Sequence, residues 1–396
     1  LIEVAFLVWF VCRGRMATSV SLRRLCPAAR RCTRRLSSPV MVSQERMKQF
    51  MHAELSYFQQ RQPKPMKLEQ IVHTSHPFLV ARLVHTELPI RFAARIKHVE
   101  SWPNWEQHKD LVDIHTIFCE SFQSLRLINL KKSDLQEFTD VIYDIRRRHK
   151  AVVPLISRAM RSMERASILE EEQWSPWADQ FLLSRISTEM LTAHYIECAE
   201  SHVLGIVDAK CDPAQICQQA ATKTLDAFRT GSHDPPVWIE VEQPPHAEKI
   251  EFSCIPQYLS YIVEELLLNS TRATVRKLDS HEHPSTRPLK VTICADQHQV
   301  AIKISDKGGG IPYGSSDRVW SYLYSTSPPP LESEREMVRV GSPLSGSGMG
   351  LPLTRLYARY LGGSCELMNM PGIGVDVYLF LSRVNPKENI DTDQEC

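Results

Sequence analysis

Apolar residues in the first half of the chain recur at three- and four-residue steps. Leu79, Leu83, Leu88, Ile90, Ala94, Ile96 and Val99 make one series; Leu111, Ile114, Ile117, Phe118, Phe122 and Leu125 make another. That spacing is the mark of amphipathic helices. Further helical windows cover 135–148, 152–172 and 177–200, punctuated by Pro103 and Pro176. Four or five long amphipathic segments with short connections over 46–212 predict an antiparallel helix bundle. After Asp212 the texture changes. A helix is expected over 213–228, strands over 237–242 and 249–252, and a long helix over 256–278. Residues 290–295 and 300–306 alternate with period two around 296–299, the pattern of a hairpin. The Pro-, Ser- and Gly-rich stretch 325–347 reads as a mobile loop, 350–360 as a helix, and 364–370 with 375–381 as a closing hairpin around 371–374. Helices segregated from a mixed sheet make an α+β fold. The expected layout is a helical domain over 46–212, a second domain over 213–384 and a polar tail over 385–396.

Composition sets limits around this pattern. The 396 residues are 43% hydrophobic and 23% charged, enough for about two domains. Lys plus Arg (47) against Asp plus Glu (46) leaves a net charge of +1, which excludes a strongly basic nucleic-acid binder. No apolar stretch reaches the roughly 20 residues of a transmembrane helix, so no integral membrane segment is expected. Eleven scattered cysteines include no CxxC pair, so reduced thiols are expected, without structural zinc or a disulfide scaffold. Local charge says more. Between Met16 and Gln44 lie six arginines (Arg23, Arg24, Arg30, Arg31, Arg34 and Arg35) and no acidic residue. An Arg- and Ser-rich stretch that is acid-free to Gln44 is the signature of a mitochondrial presequence, expected over 16–45. Ahead of it, the apolar run 4–12 lacks a preceding basic region; 1–15 are expected to be an upstream extension, with Met16 as the start.

Four features of the second domain carry chemistry. In the long helix, Glu265, Asn269 and Arg272 stand four and three residues apart on one face, with Leu266, Leu267 and Leu268 toward the core. A carboxylate, an amide and a guanidinium on one stripe could hold a water, a hard cation and a phosphate, although such a stripe alone reads as a solvent face. Next, Asp306-Lys307-Gly308-Gly309-Gly310 follows an alternating strand. The aspartate could accept from an exocyclic amine, and three glycines exceed what a hairpin turn needs, so ligand contact is favoured. Third, the run Gly346-Ser347-Gly348-Met349-Gly350-Leu351 opens a helix, and free amides at such a start form a phosphate cradle. It is neither a dinucleotide fingerprint nor a P-loop. The fourth feature is the order of the other three along the chain.

Together these motifs resemble the ATP-binding domain shared by histidine kinases, the Hsp90 chaperone, gyrase and MutL. More closely, the chain resembles the mitochondrial protein kinases that regulate 2-oxoacid dehydrogenase complexes. The resemblance spans roughly 46–383. It is carried by 263–275 (VEELLLNSTRATV), 304–312 (ISDKGGGIP), 322–328 (YLYSTSP) and 348–362 (GMGLPLTRLYARYLG), and in the helical half by 87–91 (ELPIR), 138–154 (FTDVIYDIRRRHKAVVP) and 183–191 (LSRISTEML). It implies a four-helix bundle followed by an α/β-sandwich nucleotide domain. Glu265 resembles the general base that takes the proton of a substrate serine, and His149 a bundle histidine that hydrogen-bonds and tunes it. Asn269 matches the Mg²⁺ ligand, Arg272 would face phosphate, and Asp306 resembles the adenine reader. Gly308 and Gly310 would lie beside the nucleotide, as would Ser325 and Thr326, with Gly346, Ser347, Gly348, Met349, Gly350 and Leu351 on its phosphates. Transfer would then rest on positioning and charge neutralisation.

The resemblance further implies an ATP- and Mg²⁺-dependent protein serine/threonine kinase of the mitochondrial matrix. It would inhibit the decarboxylase subunit of a 2-oxoacid dehydrogenase complex, dock on the lipoyl domain of the acyltransferase core, and form a homodimer. Leu268 stands where the family often has lysine, Ser347 where it often has an aromatic residue, and Lys307 where arginine is common. A chain ending at Cys396 without an Asp-Trp tail, together with 361–364 and 372–374, leans toward the branched-chain kinase. Residues 322–328 and 138–154 lean toward the pyruvate group, which is slightly preferred. The rivals are a histidine kinase phosphorylated on His149 and an ATP-binding scaffold without transfer, the latter favoured by Leu268 alone.

Overall fold

The structure, a computed structural model, describes residues 43–64, 71, 76–132, 134–165, 171–200, 205–228, 237–243, 249–278, 283, 286–325 and 348–383. The expected presequence up to residue 42, the loop from 326 onward and the polar tail lie outside these residues, as do Thr326, Gly346 and Ser347; the last two presequence positions instead open a helix. The chain divides into two compact units, Leu1–Tyr57 and Phe58–Cys396. Helix α1 (Gln44–Phe58) makes up nearly all of the described part of the first.

In the second unit, helices α2 (Pro77–Glu100), α3 (Lys109–Leu127), α4 (Gln136–His149), α5 (Val152–Arg165) and α6 (Glu171–Glu200) pack together, with α3 touching α2, α4 and α5 and α6 touching α2 and α4. Helix α3 buries Leu111, Ile114, Phe118, Phe122 and Leu125, the face its spacing predicts. Helix α2 departs from its predicted face. Leu79 is exposed, and the seam runs through Val80, Val84, Leu88, Phe92 and Ile96. The centre of α2 is buried all round, from Glu87 to Ala93, so a single apolar stripe cannot locate its face. Pro176 does not punctuate the helices as expected: it lies within α6. In its second turn the missing N–H forfeits one intrahelical bond, and buried Trp174, Ala178, Phe181 and Leu182 on either side hold the helix together. The window 152–172 likewise divides, its last residues Glu171 and Glu172 belonging to α6.

Strand β1 (Asp208–Cys211), which the hydrophobic pattern does not signal, pairs antiparallel with β3 (Phe252–Cys254). Strand β3 begins where the expected strand 249–252 would end. The main sheet combines β2 (Ile239–Glu242), β4 (Leu289–Ala295), β5 (Gln299–Ser305), β6 (Ser364–Met370) and β7 (Gly374–Ser382) in the order β2-β4-β5-β7-β6, parallel only between β2 and β4. Val291, Ile293, Val300, Ile302, Ile304, Val377, Leu379 and Leu381 are buried on one face, under helices α7 (Pro213–Phe228), α8 (Pro256–Lys277) and α9 (Gly350–Tyr360). Alternate positions on the other face, such as Lys290 and Lys303, are more exposed. The result is an α+β fold: helices over a mixed sheet, with a mainly helical segment before it. Among the described residues no helix is long and apolar enough to cross a membrane.

Candidate active site

Helix α8 starts with Pro256, whose fixed φ suits a first turn, and runs beneath the sheet. Its i, i+4 spacing aligns Tyr261, Glu265 and Asn269, with Arg272 one turn further. A solvent-face reading of this stripe fails at its centre, because Glu265 is only 2% exposed. The leucines between are buried as expected. What covers Glu265 is the start of α9: a Cβ added to Gly350 would stand 2.7 Å from Glu265 Oε2. The carboxylate therefore lies against the N-terminus of α9. Asn269 and Arg272 are half-buried.

Asp306, one residue past β5, joins the second motif to the first. Its Oδ2 accepts from Ser270 Oγ on α8 at 3.1 Å, beside Asn269. Oδ1 accepts from the Gly308 amide at 2.9 Å and the Val375 amide at 3.3 Å. Burial raises the carboxyl above its ordinary pKa, and these donors pull it back. The aspartate is thus held as a fixed acceptor where sheet and helix meet. The glycines after it also meet the rest of the chain closely. A Cβ on Gly308 would come within 2.6 Å of Ala273 Cβ, and one on Gly310 within 2.5 Å of the Met370 carbonyl oxygen. The protein packs closely against itself at both positions.

The third motif meets the stretch 322–325 at a backbone clasp. The Leu323 amide donates to Gly348 O at 3.0 Å. Gly348 has φ +72°, and a Cβ there would stand 2.4 Å from the Leu323 carbonyl carbon. Leu323 itself has φ 63°, a conformation rare for leucine. Next to it, Tyr322 donates its hydroxyl to Asp179 on α6. Ser325 is exposed, Met349 buried and Leu351 half-buried.

His149 closes α4 in an aromatic core, with ring centroids 5.2 Å from Phe92 and 4.8 Å from Phe118. Its Nε2 lies 3.0 Å from Ser121 Oγ, whose proton goes to the Ile117 carbonyl at 2.7 Å. The imidazole must therefore donate through Nε2, leaving Nδ1 as an acceptor. Burial, then the charges of Arg185 and Arg148, lowers its pKa from 6.5 to about 3. Ser121, not a carboxylate, receives the Nε2 proton. A 2.9 Å ion pair between Arg185 and Glu189 on α6 lies in this region, and the charges of both also reach Tyr357 on α9 and Tyr261. The sequence reading had not singled out Ser121, Tyr261 or Ser270. Only Tyr261 carried a signal: it stands one turn before Glu265.

The described residues contain no group of three His, Cys, Asp or Glu side chains able to hold a metal ion. A single oxygen ligand such as Asn269, completed by phosphates and water, fits magnesium, which seldom needs an all-protein cage.

Comparison with known proteins covers both halves of the chain. A family model described as mitochondrial branched-chain alpha-ketoacid dehydrogenase kinase matches residues 47–210. Another, described as histidine kinase-, DNA gyrase B- and HSP90-like ATPase, matches 254–385. The mitochondrial [pyruvate dehydrogenase (acetyl-transferring)] kinase of Arabidopsis thaliana is 31% identical over 322 residues, 78% of this chain and 86% of its own. Isozyme 4 of that kinase from Ictidomys tridecemlineatus and from Homo sapiens is 28% identical over 358 residues, 84% of each chain. With a buried carboxylate under a glycine-started helix, a clamped aspartate at a strand end and this likeness along most of its length, the chain belongs to the mitochondrial 2-oxoacid dehydrogenase kinase family.

Proposed function

We propose that the protein is an ATP-dependent serine/threonine kinase that phosphorylates a serine of the decarboxylase subunit of the pyruvate dehydrogenase complex and thereby inhibits it. The observation that carries this reading is Glu265, a carboxylate 2% exposed and pressed against the first residue of α9. A base in that position can take a hydroxyl proton where the γ-phosphate of a nucleotide seated on α9 would lie. Asp306 reads the adenine amine, Asn269 holds Mg²⁺ and Arg272 faces phosphate. Gly308, Gly310 and Ser325 line the nucleotide with Thr326, and Gly348, Met349, Gly350 and Leu351 bear its phosphates with Gly346 and Ser347. Held at Asn269, Mg²⁺ would supply charge neutralisation for the phosphates, while the chain's own groups would hold and orient them. The domains are taken as a four-helix bundle over 46–212 and a nucleotide domain over 213–384, which accords with family matches ending at 210 and beginning at 254. The mitochondrial names of the relatives and the basic stretch 16–45 support a matrix location. Docking on a lipoyl domain and homodimerisation rest on family membership alone.

The test offers γ-labelled ATP with Mg²⁺ and purified pyruvate and branched-chain decarboxylase subunits side by side, each with its acyltransferase core. Acid-stable label on the pyruvate subunit is expected, and Glu265→Gln should lose at least about a hundredfold in rate while still binding ATP. Wild-type turnover in that variant would remove the base assignment. A second reading, the branched-chain complex as target, is favoured by the match over 47–210 and would show as label on the other subunit. Acid-labile label on the protein itself would point to His149, whose place in the aromatic core argues against that outcome. ATP binding without any label would favour the scaffold.

A further inference from the structure

Tyr261 stands one helical turn before Glu265 on the same face of α8. Its hydroxyl oxygen is buried and has no hydrogen-bond partner among the described residues. The ring is held from behind by Tyr357 of α9, centroid to centroid at 4.7 Å, and Tyr357 in turn packs on Tyr258 at 4.9 Å. Arg185 and Glu189 are the charged groups of α6 that act on it, and Glu265 is the one on α8. A phenol locked by aromatic packing keeps its orientation, and a buried hydroxyl without an acceptor is costly to maintain. Such groups persist where a ligand, a water or a substrate-bound conformation supplies the partner.

We propose that Tyr261 is a positioning residue for the phosphotransfer reaction: its hydroxyl donates to the Glu265 carboxylate, directly or through one water, and aims it at the incoming substrate hydroxyl. Burial, followed by the Glu265 charge, holds the phenol well above its ordinary pKa, so it remains a donor throughout the neutral range. Two features fit this role. The helix fixes the spacing between the two side chains, and glycine at 350 leaves the carboxylate the room it occupies, since a Cβ there would stand only 2.7 Å from Oε2. His149, the residue the family resemblance offered for tuning the base, already gives its Nε2 proton to Ser121. The inference rests on Glu265 being the base.

The experiment is a double-mutant cycle on the full chain, with γ-labelled ATP and the decarboxylase subunit as acceptor. Tyr261→Phe should lower kcat about tenfold, the effect of one ordinary hydrogen bond, with the KM for ATP and the melting temperature unchanged. In a Glu265→Gln background, Tyr261→Phe should have no further effect on the residual rate. An equal loss in both backgrounds, or wild-type kcat in Tyr261→Phe while Glu265→Gln is slow, would overturn the assignment and leave the base intact. Full activity in Glu265→Gln would overturn both. Should Tyr261→Phe not fold, a crystal structure of the unaltered protein with ATP decides. A Tyr261 Oη within about 3.2 Å of a Glu265 oxygen, or sharing one water with it, supports the role, and an Oη bonded to any other acceptor refutes it.

Discussion

At the scale of single residues, burial separates the groups that do chemistry from those that only resemble them. Helical spacing already placed Glu265, Asn269 and Arg272 on one face, but spacing cannot say whether a face meets water or another helix. The covering element, α9, comes some 80 residues later in the chain, and that long-range packing is what makes Glu265 a buried acid. Asp306 was legible as the last residue of an alternating strand. Its clamp by Ser270 and Val375 was not, because one partner belongs to a helix earlier in the chain and the other to a strand later. Asp306→Asn removes the charge and keeps the shape. The β5–β7 ladder is made by backbone groups, so the fold should persist while calorimetry shows ATP affinity reduced about tenfold or more. Affinity equal to wild type would remove Asp306 from the nucleotide site.

Among the elements, most long periodic helices and the two hairpins were readable to within a residue or two, and 213–228 and 350–360 match α7 and α9 outright; the exceptions are 152–172 against Val152–Arg165 and 177–200 against Glu171–Glu200. Short elements were not. Strand β1 has four residues, three of them exposed, so it carries no alternation to find. Proline signals also misled at Pro176, where burial on both sides outweighs one lost hydrogen bond. The glycine run at the start of α9 divides into two roles that mutation can separate. Gly348→Ala places a Cβ against the Leu323 backbone at a positive φ, so it should cost about 1–2 kcal/mol of stability in denaturant unfolding. Gly350→Ala meets only the end of the Glu265 side chain, which can swing aside. That variant should melt like wild type yet lose at least about tenfold in phosphotransfer, because its base is displaced. Equal melting temperatures for both variants would contradict the division.

Over the whole molecule, the helical half is an acid-sensitive structure. His149 is buried in it and His98 half-buried, with pKa values lowered from 6.5 to about 3 and about 4, in each case chiefly by desolvation. As pH falls below 6.5 the unfolded chain takes up protons that the folded chain refuses, so unfolding becomes easier all the way down to about pH 3. Melting temperature should decline through that window, and His149→Leu should flatten the decline; an unaltered pH profile in that variant would show that His149 does not contribute. The two halves also touch through Tyr322 and Asp179, so damage to the helices can reach the nucleotide end. The same region holds a freedom. Because Leu323 and Gly348 are joined directly, the stretch between them begins and ends at nearly one point, whatever its length. Doubling that stretch would cost only about 0.6 kcal/mol in chain closure. The clasp is thus a natural splice point: a reporter or an affinity handle inserted in the chain between Thr326 and Gly346 should leave Leu323 and Gly348 joined and the melting temperature unchanged.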